Sequence, residues 1–312
     1  METIYLNQNP EKAVDCVTTV GMFDGVHLGH RQVISRVVEK ARECGLSSTV
    51  VTFDRPPRQV LDPSFHPQLL TTLEEKETII SQLGVDILVV LPFTREMSAM
   101  SARMFMEQIL RGQLRTEVLI TGYDNRFGHD RTEGFDDYVR YGRELGMLVL
   151  RGEAALMSDG RQPVSSSVIR QLLAVDGRVD MMPRYLACSY QLQGTVTTGE
   201  HIGHRLGYPT ANLEPADADK LIPAPGVYAV WATLEGERLP RAAMMNIGHR
   251  PTFQGSRQTL EVNILDFDGN LYGQTVCVSF VERLRAERRF DSPEALAAQL
   301  KADKEQVETI LR

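Results

Sequence analysis

Hydrophobic and polar positions follow two different rhythms along this chain. In the first half, short β-rich runs occur at Cys16–Val20, Ser48–Phe53, Asp86–Leu91, Glu117–Thr121 and Met147–Leu150. Between them, Arg31–Cys44, Leu73–Leu83, Ala102–Leu110 and Phe135–Leu145 carry the spacing of helices. Gly45, Gly84 and Gly146 follow three of these, as helix-stopping residues should. Strands alternating with helices predict a parallel sheet with crossover helices. Ligands on such sheets bind beyond the carboxyl ends of the strands.

After about Met182 the rhythm changes. Tyr190–Thr197, Gly226–Leu234, Ala242–Ile247, Thr259–Leu265 and Thr275–Phe280 read as strands, punctuated by glycine and proline. Short strands without intervening helices predict a barrel or a sandwich. The chain then closes on one helix, with Ser292 as N-cap, Pro293 at its first position, and Leu296, Leu300, Val307 and Leu311 on one face. The change of rhythm puts a boundary near Met182–Leu186, hence domains at 1–183 and 187–312.

Composition narrows the partners. A length of 312 residues suggests about two domains. The net charge of −7 supplies no global drive toward nucleic acid or an anionic membrane, so any phosphate binding must be local. The cysteines, Cys16, Cys44, Cys188 and Cys277, have no metal-site or disulfide spacing and read as thiols in a reducing compartment. The most apolar run, Ile87–Phe93, is too short to span a bilayer, and the N-terminus lacks a basic-then-apolar signal. A cytoplasmic protein acting on small molecules is expected, with no nucleic acid, membrane or obligate protein partner.

The candidate chemistry begins at Gly21–His30, where a strand, a glycine-rich turn and a helix follow one another. That geometry aims free backbone N–H groups at an anion. Gly21, Phe23, Asp24, Gly25 and Gly29 frame the turn, and His27 and His30, three residues apart, can face one phosphate. The competing account is a tight turn followed by two surface histidines. Nucleotidyl transfer suits the first account, because it asks for positioning and charge stabilisation more than covalent chemistry. Thr121–Gly128, with Asp124, could hold ribose, base or metal, or be a solvated turn. Ser165 and Ser166, with Arg170 one turn on, form either a helix cap or a phosphate-grasping surface.

In the second half, Gly203 and Gly207 would let the backbone approach phosphates. Thr210 and Asn212, two apart in an extended segment, share a face and suit Mg²⁺ held jointly with nucleotide phosphates. A Pro-Thr turn with a capping Asn is the alternative. Glu261 is a carboxylate among apolar strand residues, either a general base or a residue of the solvated face.

In this order, Gly-x-Phe-Asp-Gly-x-His-x-Gly-His, Gly-x-Asp-x-x-Phe-Gly and Ser-Ser-x-x-Ile-Arg resemble the adenylyltransferase module of bacterial bifunctional riboflavin kinase/FAD synthetases. Thr52-Phe53-Asp54, Pro57-Arg58 and Val60-Leu61 fit that family's second-strand loop. Gly207–Asn212 matches the kinase module's Gly-Phe-Pro-Thr-Ala-Asn with Tyr208 for Phe, and Asn246–Phe253, Leu271–Gly273 and Arg283–Phe290 match further segments. The resemblance covers nearly the whole chain. It implies a Rossmann-like nucleotidyltransferase domain with a parallel sheet, then a small closed β-barrel ending in a helix. It implies phosphorylation of riboflavin to FMN by ATP with Mg²⁺, and adenylylation of FMN to FAD with release of pyrophosphate. By carry-over, Thr210 and Asn212 hold Mg-ATP and Glu261 activates the ribityl hydroxyl. Two departures stand out: Arg55-Pro56-Pro57 replaces Pro-His-Pro, and Asn125 replaces a common Phe. The remaining alternatives are another His-x-Gly-His nucleotidyltransferase with an accessory binding domain, or a flavin-binding regulator without turnover.

Overall fold

A computed structural model describes residues 1–6, 14–123, 126–129, 132–153, 164–197, 209–252 and 255–312. Its contacts divide the chain into two compact units, Met1–Ser166 and Ser167–Arg312.

The first unit is a six-stranded, all-parallel sheet. Its strands are β1 (Glu2–Tyr5), β2 (Cys16–Val20), β3 (Ser47–Phe53), β4 (Ile87–Leu91), β5 (Thr116–Thr121) and β6 (Leu148–Arg151), in the order β1-β4-β3-β2-β5-β6. All five residues of β2 are buried, as a central strand covered on both faces requires. One face packs against α1 (Leu28–Cys44) and α3 (Leu73–Ser81) through Val17, Ile34, Val37, Val50, Ile80 and Leu88. The other packs against residues 102–114 and α6 (Phe135–Leu145) through Val20, Val89, Phe105, Leu110, Leu119 and Tyr138. The strand order reverses between β2 and β5, so the crevice at their carboxyl ends is the natural ligand site of such a sheet. Gly21–His30 leaves β2 there, and Gly122 leaves β5.

Three sequence expectations change. Strand β1 was not legible: four residues with exposed ends carry no pattern, and pairing with β4 alone makes them a strand. The helix expected from Arg31 begins at Leu28, because His27 caps it. The single helix expected at Ala102–Leu110 is one α-turn, α5 (Ala102–Met104), that widens into a π-helix over Phe105–Gln113. Apolar spacing over nine residues does not separate the two helix types, since both bury Phe105, Met106, Ile109 and Leu110 on one side. Between β3 and β5 lie two further short helices, α2 (Pro57–Leu61) and α4 (Arg95–Ser98).

The second unit is a closed antiparallel barrel. It contains β7 (Gln191–Thr197), β8 (Ala211–Pro215), β9 (Gly226–Leu234), β10 (Arg241–Thr252), β11 (Gly255–Ile264) and β12 (Thr275–Arg285), in the order β10-β11-β8-β7-β12-β9. Strand alternation turns Leu192, Val196, Val276, Val278 and Phe280 inward. The helix α7 (Ser166–Ala174), whose first residue belongs to the first unit, leads into α8 (Met182–Leu186) and brings Leu173, Val179 and Met182 into buried positions. The Ala224 N–H donates to the Leu173 carbonyl at 2.9 Å. The compact division therefore falls earlier than the change of rhythm near Met182. The last helix, α9 (Pro293–Ile310), is capped by Ser292 and lays Val307 and Leu311 on Val227, Ala229 and Met244. It is pinned by Arg285, which donates to the fully buried Asp303 carboxylate at 2.7 Å.

Candidate active sites

The first site is built from the turn that leaves β2. Phe23 (φ 48°) and Val26 (φ 39°) take left-handed conformations, and Gly25 (φ 81°) sits between them. Such angles are costly for a β-branched Val and persist only where surroundings hold them. Here the holding groups are explicit. Phe23 and Val26 bury their side chains in the core. Asp24 Oδ1 accepts the Leu70 and Thr71 N–H groups at 2.9 and 3.1 Å, and the Gly25 N–H donates to Thr71 Oγ1 at 3.0 Å. Ser166 Oγ donates to the Asp24 carbonyl at 3.0 Å. Asp24 thus braces the turn from within, and Phe23 does so from the core.

The turn delivers two imidazoles to the start of α1. Buried His27 is its N-cap, and Nδ1 accepts the His30 N–H at 3.3 Å. Acceptance at Nδ1 leaves the ring proton on Nε2, a donor. The His27 and His30 rings stack, with centroids 3.6 Å apart, and Phe23 meets His30 edge-on at 5.2 Å. Burial of the His30 ring, then the neighbouring His27 and Lys76, hold its pKa well below the ordinary 6.5. The pair therefore presents a neutral, hydrogen-bonding His30 beside a capping His27. Gly29 occupies the second helical position. Gly21, whose N–H donates to the Val51 carbonyl at 3.0 Å, lies under the Phe23 ring, 3.2 Å from where a Cβ would stand.

The other segments of this half are placed unevenly. Ser165 and Ser166 open α7, and Ser166 reaches the turn at Asp24. Arg170 lies one turn further along α7, within the second unit. Asp124 and Asn125 lie outside the described residues. Their neighbour Tyr123 is exposed, and Arg151 at the end of β6 stands 5.7 Å from its ring centroid. A cavity of about 360 Å³ opens between α1 and this end of β6, lined by Gln32, Arg36, Arg151 and Glu153. Pro56, where a His was expected, precedes α2 and makes no side-chain cap. One residue escaped the sequence reading: Lys76 of α3 is buried and donates to Thr52 Oγ1 at 3.3 Å. The usable signal was Thr72-x-x-Glu75, a capping box that fixes where α3 starts and hence which way Lys76 points.

The second site is a product of strand register. Asn212 on β8 stands directly opposite Glu261 on β11, and Glu261 stands opposite Asn246 on β10. Directly opposed residues share a sheet face. Thr210, two before Asn212, donates to Glu261 Oε2 at 3.4 Å. Asn263, two beyond Glu261, is buried and donates from Nδ2 to the Pro209 carbonyl at 2.7 Å, fixing the approach to Thr210. Thr210, Asn212 and Glu261 are thereby brought together. Thr210 also lines a cavity of about 300 Å³ with Val196, Ala211, Val262 and Tyr272. Gly248 accepts the close approach of Glu287, whose Oε1 lies 2.5 Å from where a Cβ would be. Gly203 and Gly207 lie outside the described residues. Hydroxyl, amide and carboxylate oxygens form a hard donor set suited to Mg²⁺.

Comparison with known proteins matches both halves. The FAD synthetase family model covers residues 9–168, and the riboflavin kinase family model covers residues 186–311. The chain is 36% identical to the bifunctional riboflavin kinase/FMN adenylyltransferase of Pseudomonas fluorescens, over 95% of this chain and 93% of the relative. It is 35% identical to the enzyme of that name from Escherichia coli K12, over 96% and 93%. A solved Streptococcus pneumoniae structure, described as a macrolide-efflux protein, is 31% identical and has a TM-score of 0.88 over 99% of both chains. Among the described residues of this chain, no helix is long and apolar enough to cross a membrane.

Proposed function

The chain belongs to the bifunctional riboflavin kinase/FMN adenylyltransferase family, and on that premise we propose how its residues divide the two reactions. The protein phosphorylates riboflavin to FMN with ATP and adenylylates FMN to FAD with a second ATP. We assign the first reaction to the barrel and the second to the parallel-sheet unit. The observation that carries this assignment is that the two family models fall largely on the two compact units, one each.

In FAD synthesis, an oxygen of the FMN phosphate attacks the α-phosphorus of ATP. The bond from that phosphorus to the bridging oxygen breaks, and pyrophosphate leaves with the electron pair. The attacking phosphate is ionised near neutral pH, so no base is needed. The task left to the protein is stabilising charge on the equatorial oxygens. His27 and His30 supply N–H donors for it, over the backbone N–H groups of Gly29 and the α1 start. Gly21, Phe23, Asp24 and Gly25 set the turn. Ser165 and Ser166 take the leaving pyrophosphate, and Asp124 takes the nucleoside or its metal.

In the kinase reaction, the terminal ribityl hydroxyl of riboflavin is a poor nucleophile until its proton has an acceptor. Glu261 takes that proton as the oxygen bonds to the γ-phosphorus, and ADP departs. Gly203 and Gly207 admit the phosphates. Thr210 and Asn212 would hold Mg²⁺ jointly with ATP, where the cation neutralises phosphate charge. Both reactions need small molecules only, and we place them in the cytoplasm, whose reducing conditions suit the scattered thiols. Incubating the purified protein with riboflavin, ATP and Mg²⁺ should yield FMN first and FAD after it by chromatography. Absence of both products would overturn the assignment, and a chelator should stop both steps.

A further inference from the structure

Beneath the Gly21–His30 turn lies a charge to which the reaction above assigns no part. Lys76 is 4% exposed. It sits on the second turn of α3, whose N-terminal approach is tied to the turn through Asp24, Leu70 and Thr71. Among the described residues, the hydrogen-bond acceptor of its ammonium is a neutral hydroxyl, Thr52 Oγ1 at 3.3 Å. Thr52 in turn donates to the Met22 carbonyl at 3.2 Å. A buried ammonium held by one neutral acceptor is a costly arrangement, and an arriving anion relieves it. Beside it, His30 Nδ1 is buried and, among the described residues, finds no hydrogen-bond partner. Two under-satisfied polar groups thus meet where the turn after β2 opens into the start of α1.

We propose that Lys76 is an electrostatic positioning residue of the adenylyl-transfer site, whose buried ammonium holds positive potential beneath the turn for the triphosphate of ATP. The inference rests on the reading of Gly21–His30 as that site. Lys76 acts through the turn and not by contact with substrate. The charged and titratable groups facing it are Asp24 on the turn, His30 on α1 with His27 stacked on it, and Glu77 on α3. Burial lowers the Lys76 pKa to about 8, against the smaller opposing pull of Asp24 and Glu77. The cation is therefore present at neutral pH and is lost just above it.

The purely structural alternative is that Lys76 only props Thr52 and the Met22 carbonyl. Two variants of the full-length chain separate these accounts. Lys76→Met removes the charge and keeps the bulk. Thr52→Val cuts the link to Met22 and removes the ammonium's acceptor, while keeping the lysine itself. With FMN and ATP supplied, Lys76→Met should lower kcat/KM for FAD formation about 10- to 100-fold, chiefly through KM for ATP. Thr52→Val should lower it by no more than about threefold. In the unmodified enzyme, kcat/KM for FAD formation should decline as pH rises through about 8. Thr52→Val should keep an alkaline limb, moved to lower pH by loss of the ammonium's acceptor, and Lys76→Met should lose it. The wild-type profile needs no variant to fold, and absence of the limb overturns the proposal. So does an equal loss in the two variants, or near-normal FAD synthesis by Lys76→Met. The His27→Ala/His30→Ala double variant guards the premise: if it still makes FAD, the site itself is misplaced, whereas its failure beside an active Lys76→Met removes Lys76 alone.

Discussion

The two proposed active sites are made in opposite ways. The adenylyl-transfer site hangs on backbone. A strained turn is held by Asp24, Thr71 and buried Phe23 and Val26, and it sets two stacked imidazoles on a helix start. Its titrating groups are shifted by burial, with His30 pushed down and Lys76 brought to about 8. The kinase site hangs on side chains placed by strand register. Thr210, Asn212 and Glu261 converge because β8 and β11 pair with Asn212 opposite Glu261. The difference follows the chemistry. A phosphate nucleophile needs fixed donors and no base, while an alcohol needs a carboxylate beside its leaving proton. Each fold offers its cheaper device, a helix start in one case and a cross-strand cluster in the other.

The sharpest way to break this comparison is Glu261→Gln. It keeps the side-chain shape but accepts no proton, so FMN formation should fall about 10²–10⁴-fold. FAD formation from supplied FMN should stay near normal, read by chromatography of the two products. Loss of neither reaction would return Glu261 to the solvated face and pass the role of base to Glu287, the carboxylate beside Gly248. The mirror experiment, His27→Ala with His30→Ala, should cut FAD formation about 10²–10³-fold and spare riboflavin phosphorylation. A folded double variant with near-normal FAD synthesis would mean the turn is not the site.

Two further tests sharpen the contrast in how the units are held. Asp303→Ala strips the partner from Arg285 where α9 meets the barrel, and should destabilise the second unit by about 3 kcal/mol. Denaturant melts followed through the lone tryptophan, Trp231 of β9, should show that loss, with the first unit unchanged by circular dichroism. The smallest effect is a pH slope confined to the first unit. Native His30 binds its proton below the ordinary 6.5, so between those values the unfolded chain holds more protons. Stability of this unit should then fall as pH drops through that window. Lys76 has the same sign at the other end: its native value of about 8 lies below 10.5, so stability should rise as pH climbs between them. Replacing His30 by Gln should flatten the acid side of a melting-temperature profile. An unchanged slope would mean that His30 is not held neutral in the fold.

The motif residues and the fold class were legible because they depend on local pattern. Alternating strands and helices announced a parallel sheet, and Ser292-Pro293 announced α9. His27 was visible as a candidate donor but not as a cap, since only the folded turn aims Nδ1 at the His30 N–H. The strand rhythm alone left barrel and sandwich open; the motif resemblance pointed to the barrel, and closure of β9 onto both β10 and β12 is what forms it. The convergence of Thr210 with Glu261 was likewise invisible, because 51 residues separate them and register, not spacing, joins them.

What this sequence determined alone was therefore what short stretches of chain can encode. Apolar rhythm, glycine stops, caps and the residue types of each motif are near-neighbour properties, fixed within a few bonds by sterics and hydrogen bonding. What only the tertiary structure decided was burial and company. Lys76 has the look of a solvated lysine until α3 docks on β3 and β4, and only then does its charge lie under the turn, with Thr52 as its acceptor and His30 as its neighbour. Electrostatics in a protein depend on what has displaced the water, and a linear pattern carries no record of which distant residues will do so.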